Sequence, residues 1–436
     1  MIEQGNSNLS LAPTPSVESE PQFAAFLAID WADKEHVWCL QVRGSQKRET
    51  GKLNNQAEEM EAWIGQLCQR FGPQPIAVAI EKCRGTLILL LSKYQQLHLY
   101  PIPPQAAANF RKALHPSGAT DDDRDAAALL EMLCQHRHRW QRWSPEAPQT
   151  RLLQGLVEER RRLVDQKTGL LNCLTAKLKI YFPQMVEWFK PLDTGLVCEL
   201  LQRWPTLPEL KKVGPARLRT FFRKHHCRQN ELMEKRMAAI TRAVPAFDDA
   251  AVIQAQVPTV QTLAKMIKMA GEGIQILERQ IKEAAAAHPD FFIFDSFPGA
   301  GEALAPRLVV AFGSRRERYA VANELQSLSG IAPVREQSGK SCWVHFRWGC
   351  PKFLRQTFHE WAHHSLAQCA WAQTYYHQQR ARGKGHHAAV RALAFKWMRI
   401  AFRCWKDRIP YDETTYMNSL AQRNPGLHAK ASAIAV

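Results

Sequence analysis

The sequence predicts an α/β domain on a mixed sheet at the N-terminal end, then a long helical middle and a mostly α-helical, basic C-terminal region. Three observations carry that expectation. Short apolar runs broken by turns fill the stretch up to residue 145, a long leucine stripe at helical spacing follows, and positive charge rises along the chain. At 436 residues there is room for two or three domains, each with its own core. The expected bounds are a disordered polar lead over 1–22, a first domain over 23–145, a helical coiled-coil region over 146–290, a third domain over 291–423, and a disordered tail over 424–436.

Each element has a local reason. FAAFLAID from Phe23 is an apolar strand ending in Asp30, HVWCLQV (His36–Val42) a second strand, and residues 47–53 a third. Met60, Trp63, Ile64 and Leu67 share one face of a helix over Asn55–Arg70. IAVAIE (Ile76–Glu81) is a buried strand bounded by Gly72, Pro73 and Pro75 before and Gly85 after. A helix over Thr86–Gln96, a strand at His98–Ile102 and two further helical stretches reach about Trp140. That succession is an α/β layer in the ribonuclease-H-like order. Beyond Trp143-Ser144-Pro145, Thr150–Tyr181 carries a stripe from Leu152 to Leu178, and a second helical block spans Gln229–Ala287. Paired long helices of this kind make a coiled-coil spacer or a dimer seam.

Charge narrows the class. Residues 1–145 carry a net charge of −1, residues 146–290 of +7 and residues 291–436 of +11, which together give the chain's +17. A neutral first part followed by increasingly basic ones suits a protein that grips a polyanion with its latter half. No run approaches 18 apolar residues, so a membrane span is not expected. Eleven cysteines without a CxxC pair, and a start that lacks a signal-peptide pattern, point to reduced thiols and a cytoplasmic protein, nucleoid-associated when acting.

Four carboxylates fall where a two-metal site needs them. Asp30 ends the first strand and Glu81 ends IAVAIE. Asp122 and Asp125 open the helix in TDDDRDAAALLEML, three apart and so on one face. Strands one and four are neighbours in a sheet of this order, which sets Asp30 beside Glu81. Crowded carboxylates repel each other, and divalent cations with a preference for oxygen, such as Mg²⁺, relieve that repulsion. Asp123 is an alternative to Asp122. Taken singly, each acid could be a turn residue or a helix cap.

The stretches FLAIDWADKEHVW, AIEKCRG and DDDRDAAALL, followed by FPGAGEALAPRLVVAFGSRRERY, LSGIAPVREQSGKS and RWGCPKFLRQTF, closely resemble the DEDD transposases of bacterial insertion sequences. The resemblance covers roughly residues 23–420. It implies a RuvC-like domain holding Mg²⁺ through Asp30, Glu81, Asp122 and Asp125, and a C-terminal transposase domain whose Ser338 is the nucleophile that joins to DNA. It also implies an element-encoded bridge RNA, a non-coding guide that selects donor and target DNA, and a homo-oligomer, dimer or tetramer, that brings serine and acids together. Beside the resemblance, Ser338 lies among Arg335, Lys340, Arg347, Lys352 and Arg355, which suit phosphates on either side of a scissile bond. No His-Asp couple is spaced to activate this serine, although His345 is seven residues on. Two other functions fit the same residues: a RuvC-like structure-selective nuclease that uses water, with Ser338 incidental, and a nucleic-acid-binding protein without catalysis.

Three lesser motifs have plainer readings. PGAGEAL (Pro298–Leu304) lacks the GK[ST] of a phosphate loop and reads as a turn, with or without DNA backbone contact. His359-Glu360-Trp361-Ala362-His363 has HExxH spacing but no third zinc ligand of the protease kind, and His225-His226-Cys227 lacks partners at ligand spacing. Tryptophans 343, 348, 361, 371, 397 and 405 interleave with basic residues; those at helical spacing belong to a core.

Overall fold

In the computed structural model the described residues are 21–81, 85–114, 121–227, 229–246 and 248–433. They group into two compact units, residues 1–145 and 146–436, each taken by itself below. Most of the expected 1–22 lead lies outside the described residues. Among the described residues no helix is long and apolar enough to cross a membrane. The ten described cysteines are all unpaired.

Unit one is built on β1 (Ala25–Asp30), β2 (Glu35–Val42), β3 (Arg48–Asn54), β4 (Ile76–Ile80) and β5 (Leu97–Pro101), with α1 (Ala57–Phe71), α2 (Thr86–Leu91), α3 (Pro104–Leu114) and α4 (Asp122–His136). The strands order as β3-β2-β1-β4-β5. β1 pairs antiparallel with β2 and parallel with β4, in register Ile29 to Ile80. Side-chain alternation splits the core into two layers. Leu27, Ile29, Val78 and Ile80 pack with Met60 and Ile64 of α1 and with Leu87 and Leu91 of α2. Ala28, Ala77 and Ala79 pack with Leu129, Leu130 and Leu133 of α4. The alanines on that second face leave room for α4, which packs on β1, β2 and β4. The helix expected to reach Gln96 stops at Leu91, because the chain turns at Ser92–Tyr94 to enter β5.

Unit two is organised by two long helices, α5 (Pro148–Tyr181) and, after five shorter ones, α11 (Ala250–Ala286). They run antiparallel: Thr150 meets His288, Arg160 meets Glu278, and Leu163 lies against Gly273. The intervening helices are α6 (Gln184–Trp188), α7 (Gly195–Arg203), α8 (Leu207–Lys211), α9 (Pro215–Lys224) and α10 (Asn230–Arg242). They close one core around Leu174, Leu178, Val260 and Ile267 at one end of the hairpin. The expected leucine stripe is only partly inward: Leu153, Leu174 and Leu178 are buried, whereas Leu152 is 58% exposed.

The other end of the hairpin joins a second core through Leu153, Val157, Ile281 and Ala285. Here lie α12 (Phe291–Asp295), α13 (Gly301–Phe312), α14 (Ala322–Leu328), the strands β6 (Val334–Ser338) and β7 (Ser341–His345), then α15 (Lys352–Ser365), α16 (Ala370–Ala381), α17 (His386–Asp407), α18 (Glu413–Arg423) and α19 (Pro425–Ser432). Trp361, Trp371, Trp397 and Trp405 are fully buried in it. Two expectations change. The β6–β7 hairpin was hidden by its polar sequence. The tail, expected to be disordered from Asn424, folds as α19, because Asn424 caps the backbone N–H of Leu427 and Leu427 and Ala431 are buried.

Candidate active site

Alternation along β1 and β4 decides where the first two acids go. Asp30 is two residues on from Ala28, and Glu81 two on from Ala79, so both continue the face that α4 covers. Ile29 and Ile80 are paired, which sets the two acids side by side at the strand ends. α4 presents Asp122, Asp123 and Asp125 in its first turn, where the helix dipole favours negative charge. Burial, then the charges of Asp125, Glu81 and Asp122, push the Asp30 carboxyl up from 3.8 to about 6, against a smaller opposing pull from Arg111. Asp123 is felt instead at Cys39, and Lys52 feels both Asp122 and Asp123.

Arg111, at the end of α3, was not singled out in the sequence. Its guanidinium is bonded to the Asp125 carboxylate, with both side chains largely buried. It supplies positive charge where the four acids supply negative. Nothing in FRKAL marks this arginine; only the packing of α3 on α4 gives it a role. Among the described residues no three His, Cys, Asp or Glu side chains form a ready-made metal-ligand group. The acids nevertheless fit a hard divalent cation by donor type and by charge: all are carboxylates, and their mutual repulsion is what such an ion relieves.

Ser338 ends β6 in the other unit and is exposed. It pairs with Ser341, so Gly339-Lys340 forms a two-residue hairpin loop, with Gly339 at a φ of +56°. His345 pairs with Val334 at the opposite end of the ladder, about 13 Å along the strand from Ser338. There its Nε2 is paired with Glu336 at 2.7 Å, and at that distance from Ser338 it is no base for this serine. Among the described residues Arg335, Lys340, Arg347, Lys352 and Arg355 have no ion pair to a carboxylate, which leaves their charge for a ligand.

The lesser motifs resolve as structure. Gly299 has a φ of +75°, and a Cβ there would sit 2.4 Å from the Ser365 backbone nitrogen, so PGAG is a packing turn. Glu360 of the HExxH run is held by Arg307 at 2.5 Å and Arg161 at 3.2 Å. His359 is pushed down to about 4 by burial and neighbouring positive groups. That neutral histidine and paired glutamate do not make a protease centre. Trp343 and Trp348 remain 62% and 80% exposed, unlike the core tryptophans.

The chain matches the profile of a DEDD transposase family of IS110 type over residues 27–183. It matches that described as "Transposase IS116/IS110/IS902 family" over residues 293–377. It is 26% identical to the mini-circle putative transposase for IS117 of Streptomyces coelicolor, over 92% of this chain and 99% of that protein. It is also 26% identical to an uncharacterized protein of insertion element IS110 from the same organism, over 89% and 95%. An uncharacterized protein of insertion element IS900 from Mycobacterium paratuberculosis is 25% identical over 76% and 82%. The acids fall within the first matched segment and Ser338 within the second, and the chain belongs to the IS110 family of DEDD transposases.

Proposed function

We propose that this transposase cuts and rejoins DNA with Ser338 as nucleophile, under guidance by a non-coding RNA, and that Asp30, Glu81, Asp122 and Asp125 hold Mg²⁺ in a ribonuclease-H-like domain. The observation that carries the metal reading is the convergence of three carboxylate charges on a half-buried fourth. A bound divalent cation would supply positive charge for the oxygens of a phosphodiester undergoing displacement.

The chain's own groups account for the rest. The Ser338 hydroxyl loses its proton and its Oγ bonds to phosphorus, while one P–O bond to deoxyribose breaks and the strand end leaves as a sugar alkoxide that is then protonated. A second strand's hydroxyl attacks the phosphoserine in turn and frees the serine. The arginines and lysines of the hairpin neighbourhood hold phosphates on either side of the bond. The exposed, tightly turned position of Ser338 supports attack on an incoming strand, because a turn serine is reached without moving the core. The basic charge of the second unit supports contact with DNA and with a guide RNA, and relatives from insertion elements support a mobile-element setting. We read the functional form as a homo-oligomer.

The test is a recombination assay on donor and target DNA with purified protein, the element's flanking RNA and Mg²⁺, resolved on a denaturing gel. Wild-type protein leaves a protein–DNA covalent adduct, and Ser338→Ala abolishes both adduct and product while binding of DNA persists. Cut DNA without an adduct, unchanged in Ser338→Ala, would show a nuclease that uses water. Recombination unaffected by Asp30→Asn and Glu81→Gln would remove catalysis by the acids.

A further inference from the structure

A cavity of about 490 Å³ opens beneath the base of the β6–β7 hairpin, within the roughly 300–1,000 Å³ range of small-ligand pockets. One wall is a single face of α17, where Ala388, Arg391, Ala392 and Phe395 recur at helical spacing. Tyr375 of α16 and Phe346, just past β7, supply further aromatic surface, and Arg347 and Lys384 complete the charge. No acidic residue is among those that line it. The guanidiniums of Arg355 and Arg391 both lie over the Phe346 ring, at 4.8 and 5.1 Å from its centroid. Neither arginine has a carboxylate partner among the described residues. Two like charges held against one ring, partly desolvated, lack the anion that would offset their repulsion. Burial, then Arg355, pulls the Arg391 pKa down, in keeping with that missing counter-charge.

We propose that this cavity holds one unpaired nucleotide of the DNA strand on which Ser338 acts, the base against Tyr375 or Phe395 and its phosphate on Arg391, with Arg355 beyond the Phe346 ring adding to the positive charge. This rests on the reading of Ser338 as nucleophile. Aromatic faces with unpaired guanidiniums match a base and a phosphate together, a combination that binds single strands without needing a particular sequence. DNA rather than RNA is favoured because Val344 and His345 line the cavity and belong to the same short hairpin that carries Ser338. The nucleotide so held is within a few residues of the bond to be broken. Trp343 on β7 and Trp348 just past it, both exposed, extend the stacking surface to its neighbours.

The experiment uses the full chain in a Ser338→Ala background, so that binding is read without chemistry. A short labelled oligodeoxythymidylate is titrated by fluorescence anisotropy at several salt concentrations, and a 5-iodouracil version is photo-crosslinked and mapped by peptide mass. The expected crosslinks fall on Tyr375 or Phe395. Arg391→Gln weakens binding about tenfold and lowers the slope of log K against log salt by about 0.7, the value for one single-strand phosphate contact. Arg391→Lys keeps the slope, which separates lost charge from lost folding. Tyr375→Leu weakens binding five- to tenfold, as loss of one stacked base does. Crosslinks confined to other regions, or Arg391→Gln and Tyr375→Leu proteins that bind as their parent does, would overturn the proposal. A ribo-oligonucleotide that binds more tightly and crosslinks at these rings would give the cavity to RNA and overturn the DNA assignment. Displacement by micromolar thymidine monophosphate would make it a mononucleotide pocket and overturn the proposal as well. Failure of the serine itself shows separately, as absence of the covalent adduct from wild-type protein while the crosslinks remain.

Discussion

If Asp30 is crowded by its neighbours, removing its charge should make the metal-free protein more stable. Its carboxyl is raised from 3.8 to about 6, so the folded state binds more protons than the unfolded state between those values. Stability therefore falls as pH rises through that window, and the penalty is complete above it. A shift of about 2 units corresponds to about 3 kcal/mol at 1.36 kcal/mol per unit, and solvent screening at this half-buried position reduces it to about 1–2 kcal/mol. Asp30→Asn keeps the shape and loses the charge, so unit one gains that amount at pH 7.5 in a chelator, or about 3–8 °C in midpoint. Thermal unfolding followed by tryptophan fluorescence reads it, since Trp31 follows Asp30 directly and Trp38 pairs with Ile29 on the neighbouring strand. The gain shrinks steadily toward pH 4. Added Mg²⁺ raises the midpoint of the wild-type protein and does so far less in the variant. An Asn variant no more stable than wild type at pH 7.5 would refute the crowding, and with it the reason for expecting an ion.

Two further substitutions test unit two. Arg307 is only 5% exposed and holds Glu360 and Thr357; Arg307→Met should cost about 3 kcal/mol in urea denaturation, at the low end for a broken buried pair because Glu360 keeps Arg161. Gly299→Ala combines a left-handed φ with an overlap against the Ser365 backbone and should cost about 3 kcal/mol by the same measurement, with no change in DNA affinity per folded molecule.

The acids were legible because each sits at an element end that apolar patterning marks. IAVAI is buried on both faces and can only be an interior strand, so the acid that follows it falls at the sheet's edge beside its parallel neighbour. Arg111 was not legible, since its role depends on how two helices pack and no local pattern reports that. The hairpin was missed for a related reason: VREQS and SCWVH are almost wholly exposed, so neither strand shows the alternation that betrays a half-buried one. The tail illustrates the converse. Its alanines and serine read as low-complexity sequence, but Leu427 and Ala431 are four apart and find a core on α16 and α18.

The choice within the DDD run can be argued from helix geometry. Residues 122 and 125 are three apart and share a face, whereas 123 lies about 100° round the helix. The electrostatics follow that division. Asp122 and Asp125 both act on Asp30, while Asp123 is felt at Cys39 on β2, and Lys52 on β3 feels Asp122 and Asp123 alike. Asp122 and Asp123 are both exposed in the first turn, so neither substitution opens a cavity, and replacing either with Asn costs little stability. Asp122→Asn should therefore lower recombination by a hundredfold or more, on the scale of losing a ligand that tunes a metal site, whereas Asp123→Asn should stay within a factor of about three of wild type. Rates measured side by side at saturating Mg²⁺ decide it. Equal losses in the two variants would mean that the helix start serves the site as a general negative field, and the reverse order would move the third ligand to Asp123 and turn α4 by one position relative to the sheet.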